Sequence, residues 1–464
     1  MNRDGEQPLK RIYQILGGAG IWLALACAAF GDPAADCHQR ALAKQAQGDL
    51  AGAIAEENHA LELRPDFPDA YYFRGRMQIQ LGHTAEAIAD FDRQLQYQTN
   101  DARAYCGRGE ARRVQGDLLG SLVDYNLAVL NQADLLDAYA GRAVTRRLRG
   151  DFAGAIADAG RVLAQQPQNA GALANRSAAR HARGEFDGAI ADASAALALE
   201  PNQVETINTR AQARKAKGDL DGARADYDQA LELRPNNVAA LLGRAFVRSQ
   251  QGDLAGAEED DTRGLEFEPN NADAWYGRGA VRQVRGNPAG ALGDFNHAAE
   301  LNPGLAYIYR NRGRLRFDTH DFANAEVDFR KALELDPSLV YIRFQIWLAR
   351  ARLGQAEAAS VELRNYLSSQ APATLPDWPD RVGQFLTGDL AETDFLAAAK
   401  KADPAKAAGQ WCEACYYAGS KHLVAGDSAG AADFYQKAVA TGKTNLQEYH
   451  SAAAELGFLN PAKN

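Results

Sequence analysis

The chain has 464 residues, 46% of them hydrophobic and 24% charged, and a formal net charge of −9. That balance describes a folded body with a core and excludes a disordered chain. The acidic surplus argues against nucleic acid as a main partner, because phosphate binding draws on a basic face.

The first element is apolar. Lys10 and Arg11 precede the run Ile12–Phe30, and Asp32 and Asp36 follow it. Positive charge, then an apolar stretch, then small residues is the pattern of an export signal or a single membrane anchor. The run is long enough to span a bilayer. Leu23-Ala24-Leu25-Ala26-Cys27 resembles a bacterial lipobox, with Ala24 where the motif usually has Leu, and that resemblance implies lipidation at Cys27. Residues 1–33 are thus expected to be a signal peptide, a lipoprotein signal or an N-terminal membrane anchor. All three place the body outside the cytoplasm, as a periplasmic or membrane-tethered component of the cell envelope.

Next comes a repeat. Arg40, Arg74, Arg108, Arg142, Arg176, Arg210, Arg244, Arg278 and Arg312 fall 34 residues apart, and Glu56, Asp90, Asp124, Asp158, Asp192, Asp226, Asp260, Asp294 and Asp328 keep the same period. A period held so strictly means one structural unit copied along the chain. Gly48-Asp49, Gly116-Asp117, Gly150-Asp151, Gly184-Glu185, Gly218-Asp219, Gly252-Asp253 and Gly286-Asn287 share a register, and His320-Asp321 keeps the acid but loses the glycine. A glycine ending one helix and an acid capping the next predict helix, tight turn, helix. Pro65, Pro167, Pro201, Pro235, Pro269, Pro303 and Pro337 close the units.

Each ladder arginine stands about as far before the turn as its acid stands after it, so the two face each other on antiparallel helices. The ladder is therefore expected to be internal bracing. A second row, Arg112, Arg146, Arg180, Arg214, Arg248, Arg282, Arg316 and Arg350, has no such regular partner in the sequence and is expected to supply exposed positive charge.

Of the five cysteines, Cys37, Cys106 and Cys415 occupy core-type positions. Trp411-Cys412-Glu413-Ala414-Cys415 has the form of a W-C-x-x-C redox motif but lacks the strand that such a motif follows, so a helix start is expected, with a disulfide within that helix as the alternative. The eight histidines are scattered, and no phosphate-binding loop or H-E-x-x-H string occurs. The glycines read as turn and packing glycines. No active site, metal or cofactor is expected.

Trp275, Gly279, Ala291, Phe295 and Pro303, repeated as Tyr309, Gly313, Ala325, Phe329 and Pro337, resemble the tetratricopeptide repeat (TPR). The likeness implies an all-α fold, a right-handed superhelical α-solenoid of tandem helix-turn-helix repeats, with nine units over residues 34–339. It also implies a non-enzymatic scaffold whose concave groove binds proteins or peptides. Family ligand positions carried onto this chain are Asp69, Tyr72, Arg76, Arg103, Glu110, Arg113, Asn208, Gln212, Tyr276, Arg310, Arg314, Tyr341 and Phe344. The alternative is an anionic-ligand or glycan module using groove arginines.

Beyond Asp336 the rhythm loosens. Residues 340–411 read as a degenerate helical segment, and 412–464 as a final repeat-like unit with a capping helix. FQIWLARARLGQ, QFLTGDL and CEACYYAGSKHLVAGDSAGAADFYQKAVATG resemble the C-terminal half of NlpI-type bacterial TPR lipoproteins. That resemblance implies an adaptor for envelope proteases or peptidoglycan hydrolases, touching the membrane only through its N-terminus. It leaves a homo-oligomer open.

Overall fold

The computed structural model describes residues 32–369 and 377–459; the expected export signal and Cys27 lie outside them. Every regular element among the described residues is an α-helix. Nine helix pairs follow the 34-residue period. The first three are α1 (Pro33–Ala46) with α2 (Leu50–Leu63), α3 (Pro68–Gln80) with α4 (Thr84–Tyr97), and α5 (Ala102–Gln115) with α6 (Leu118–Asn131). Three more are α7 (Leu136–Leu148) with α8 (Phe152–Gln165), α9 (Ala170–Ala182) with α10 (Phe186–Leu199), and α11 (Val204–Ala216) with α12 (Leu220–Leu233). The last are α13 (Val238–Gln250) with α14 (Leu254–Phe267), α15 (Ala272–Val284) with α16 (Pro288–Leu301), and α17 (Ala306–Asp318) with α18 (Phe322–Leu335).

The chain divides into two compact units between Gln229 and Ala230. In the first, each helix from α1 to α10 packs on the next, and α3, α5, α7 and α9 each touch the next odd-numbered helix. The second repeats this pattern, with α13 touching α15. This is the stacking expected of a repeat whose faces are buried only by neighbours.

Residue type explains the pairs. Asp49, Asp117, Asp151 and Asp253 each accept a hydrogen bond from a backbone N–H three residues on, at 2.8–3.0 Å, which caps the second helix. The turn glycines from Gly48 to Gly286 hold φ between 76° and 92°. His320, at the one such turn without glycine, holds φ 66°, a conformation that a β-carbon disfavours. Within the pairs, a β-carbon on Gly313 would lie 2.8 Å from the Phe329 ring, so only glycine allows that approach.

The ladder is a buried ion-pair network, as the spacing predicts. Arg108 donates through Nε (3.0 Å) and Nη2 (2.6 Å) to Asp124, and the same two-point contact recurs from Arg74–Asp90 to Arg312–Asp328. Arg74, Arg108, Arg142 and Arg312 also reach back 16 residues, to Asn58, Asp92, Asn126 and Asn296. Each of these four ties its own repeat to the one before it.

The second row departs from expectation. Arg112, Arg146, Arg180, Arg214, Arg248, Arg282 and Arg316 each donate to the ladder acid of their own repeat, at 2.6–2.9 Å. Two arginines four apart lie on one helix face, so both guanidinium groups converge on one carboxylate. Arg350 pairs with Glu362 at 2.6 Å. The row is bracing and does not supply free positive charge.

The C-terminal part of the second unit leaves the period. α19 (Val340–Arg352) and α20 (Ala356–Ser369) form one more hairpin; α21 (Asp377–Thr387) and α22 (Glu392–Lys400) follow. α23 (Pro404–Val424), long enough to contain the expected 411/412 boundary, pairs with α24 (Ser428–Val439), and α25 (Gln447–Leu459) ends the described chain. Their core is aromatic: Phe385 stacks on Phe395 at 4.3 Å, and Phe344, Tyr416, Tyr417 and Tyr435 are fully buried.

Candidate binding face of the first helices

In the first unit the structure brings five of the expected residues together. Arg76 on α3 pairs with Glu110 on α5 at 2.6 Å, and Arg103 reaches back to Asp69 at 3.3 Å while its guanidinium lies 5.1 Å from the centre of the Tyr72 ring. All five are partly exposed or exposed. They form a continuous face of mixed charge around one aromatic, outside the ladder network. Such partly solvated pairs are individually weak, which leaves their charges available to a partner. Arg113 sits deeper, against Tyr125, whose hydroxyl is pushed up by burial. Asn208, which is buried, and Gln212 lie on α11, whose contacts run to α9 and α10 and not to this cluster.

In the second unit Tyr276 on α15 accepts a hydrogen bond from Asn311 and meets Tyr307 edge-on at 4.7 Å. Arg310 and Arg314 on α17 face Tyr276 and have no hydrogen-bond or ion-pair partner among the described residues. Tyr341 on α19 donates to Glu413 at 3.1 Å. Phe344 overturns its assignment: it is 0% exposed, packed edge-on against Tyr417, because the out-of-period helices cover the α19 face that a further repeat would leave open.

Helix α25 also lies on this face. Ser451 donates to Asp318 at 2.7 Å, Glu455 pairs with Arg352, and Phe458 stacks on His320 with ring centres 3.7 Å apart. Burial and the Glu455 charge push Asp318 up to about 7. The contacts at His320 offset the strain of its backbone. Two spaces flank α25. One, of about 920 Å³, runs between it and the α15 and α17 surfaces. The other, of about 660 Å³, is lined by Arg310, Arg314, Tyr341, Gln345, Glu413 and Glu448 among others.

Glu413, Glu448 and Gln345 were not expected at a site. The only sequence signal for Glu413 was its place inside the C-x-x-C string. That string is a buried helix segment: Cys412 and Cys415 are free and 0% exposed, and burial pushes the Cys415 thiol up to about 12, far from a reactive thiolate. Gly426-Asp427-Ser428-Ala429-Gly430 spells G-x-S-x-G, yet it is the α23–α24 turn. Gly426 has φ 84° and Asp427 caps α24 through the Gly430 N–H at 2.9 Å, with no strand before it. Among the described residues no three metal-ligating side chains come together, and no helix is long and apolar enough to cross a membrane.

Helix hairpins stacked at a 34-residue period and braced through buried arginine–aspartate pairs define a helical repeat protein. Models of the tetratricopeptide repeat match residues 38–98, 211–252 and 306–339, and the chain is a tetratricopeptide repeat protein. No curated protein matches the sequence. Among solved structures, a tetratricopeptide repeat protein from Parabacteroides merdae is 20% identical, with 53% of this chain and 98% of that one covered and a TM-score of 0.44. YrrB, described as a TPR protein with an unusual peptide-binding site, is 16% identical over 40% of this chain and 95% of its own (TM-score 0.35). The Cut9–Hcn1 structure of the APC/C is 14% identical over 97% and 94% (TM-score 0.42).

Proposed function

We propose that this chain is a non-enzymatic scaffold of the bacterial cell envelope that captures protein partners on the first-helix face. Tetratricopeptide repeat proteins act as protein-binding scaffolds. The observation that carries the reading here is the Asp69–Tyr72–Arg76–Arg103–Glu110 face: charged and aromatic groups gathered across two repeats, which the bracing of the fold does not use. Aromatic and arginine side chains dominate binding hot spots. The envelope assignment rests on the basic and apolar N-terminal sequence, and the NlpI-like C-terminal strings favour envelope proteases or peptidoglycan hydrolases as partners.

The test is capture from an envelope fraction with the purified full chain, wild type against the double reversal Arg76→Glu with Glu110→Arg. The swap keeps the ion pair, and hence the fold, but inverts the local field. Capture of specific partners should fall at least tenfold; an unchanged set of partners would sink the reading. Intact-mass analysis of the mature protein tests the N-terminus. A diacylglyceryl-modified chain beginning at Cys27 is expected, and an unmodified residue there rules out the lipoprotein form.

A further inference from the structure

The 660 Å³ cavity of the second unit has an unusual charge inventory. Arg310 and Arg314 contribute two guanidinium groups that no described residue pairs with, and the Nε of each is buried without a partner. Glu413 and Glu448 contribute two carboxyls, and among the described residues no arginine or lysine lies within ion-pair distance of either. Glu413 is held instead by neutral donors, Tyr341 at 3.1 Å and the Trp378 indole at 2.9 Å, and Glu448 by Tyr417 at 3.4 Å.

The charges are ordered. Arg310 and Arg314 act on each other, Arg314 and Glu448 feel one another, and Glu413 feels Glu448 but no cation. The cavity therefore runs from a cationic end at Arg310 to an anionic end at Glu413. Burial pushes the Glu413 carboxyl up to about 7 and raises that of Glu448, so their charged forms are costly until a cation completes them. The two guanidinium groups likewise lack an anion among the described residues.

We propose that this cavity binds a short peptide with free termini, its carboxylate on Arg310 and Arg314 and its ammonium group at Glu413 and Glu448. A simple anion would leave the acidic end uncompensated, and a simple cation the basic end; a dipolar ligand answers both. The volume lies within the range of small-ligand pockets and exceeds what one amino acid fills. A tripeptide, about 10 Å when extended, fits it better. Gln345 and Asn445 stand along the wall to meet peptide amides, while Leu339, Val340, Ile342 and Leu446 offer apolar surface to side chains. This site is separate from the partner face of the first unit, so the two readings fail independently.

The test is calorimetric titration of the full chain with trialanine, N-acetyl-trialanine and trialanine amide. Free trialanine should bind, and blocking either end should weaken binding roughly 10- to 100-fold, the loss of one charge-assisted contact. Arg314→Gln should narrow the difference between acid and amide, and Glu413→Gln the difference between free and acetylated amine, because each removes one of the two groups at its end. Glutamine at position 413 still accepts from Tyr341 and Trp378, and a thermal melt checks that each variant is folded. Absence of binding by free trialanine at millimolar concentration, or equal binding of the blocked peptides to the wild-type chain, overturns the proposal whether or not the variants fold.

Discussion

Asp260→Ala should destabilise the second unit by about 3–5 kcal/mol, seen as a lower urea midpoint. Asp260 is 1% exposed and accepts from Arg244 at 2.8 and 2.6 Å and from Arg248 at 2.8 Å. Removing it takes away the buried carboxylate that both guanidinium groups share, and Arg248 keeps the more exposed Asp253 at 3.6 Å. The arginines themselves cost desolvation, so replacing Arg244, Arg248 and Asp260 together by apolar side chains of similar length should cost less than the single change. A single change as mild as an exposed surface substitution, within about 0.5 kcal/mol, would mean the network is not a bracing element.

The adjacent acid should behave in the opposite way. Asp261 is 3% exposed and no described side chain hydrogen-bonds to it; burial, then the charge of Asp260, push it up to about 8. Its folded value is above its ordinary 3.8, so the fold holds an extra proton between those limits and loses stability as pH rises through them. Asp261→Asn should therefore stabilise the protein, on the order of a few kcal/mol at pH 8 and much less at pH 4. Urea midpoints of both proteins at the two pH values decide it. A variant–wild-type difference that does not grow with pH would show Asp261 to be solvated or paired.

Asp261 marks how far the sequence could be read. Its position holds Phe91, Tyr125, Tyr227, Phe295 and Phe329 in other repeats, so the substitution stood in plain view as a break in the pattern. Glu57 breaks it too, but meets His38 at 2.8 Å. The hairpins, their turns and the arginine–aspartate ladder were legible because a 34-residue period multiplies each weak local signal by nine. The second arginine row was misread through spacing taken along the chain. Four residues on from a ladder arginine is the same helix face, and that alone points both groups at one acid. Phe344 and the cavity were not legible. Both depend on α21 to α25, which follow no period, so no register told which face they would cover.

The back-reach of Arg74, Arg108, Arg142 and Arg312 bears on how such a chain changes length. Each of these four arginines holds the acid of its own repeat and an acceptor carried by the repeat before it. Cutting out residues 136–169 would bring Asn126 to the place that Gly160 now holds before Arg176, and a lost contact would be regained. Removing a number of residues that is not a multiple of 34 would put the first arginine after the cut out of step with the acceptors before it. The fold therefore tolerates gain or loss in whole copies and resists it in fractions, much as a zip fastener can be shortened only by complete teeth.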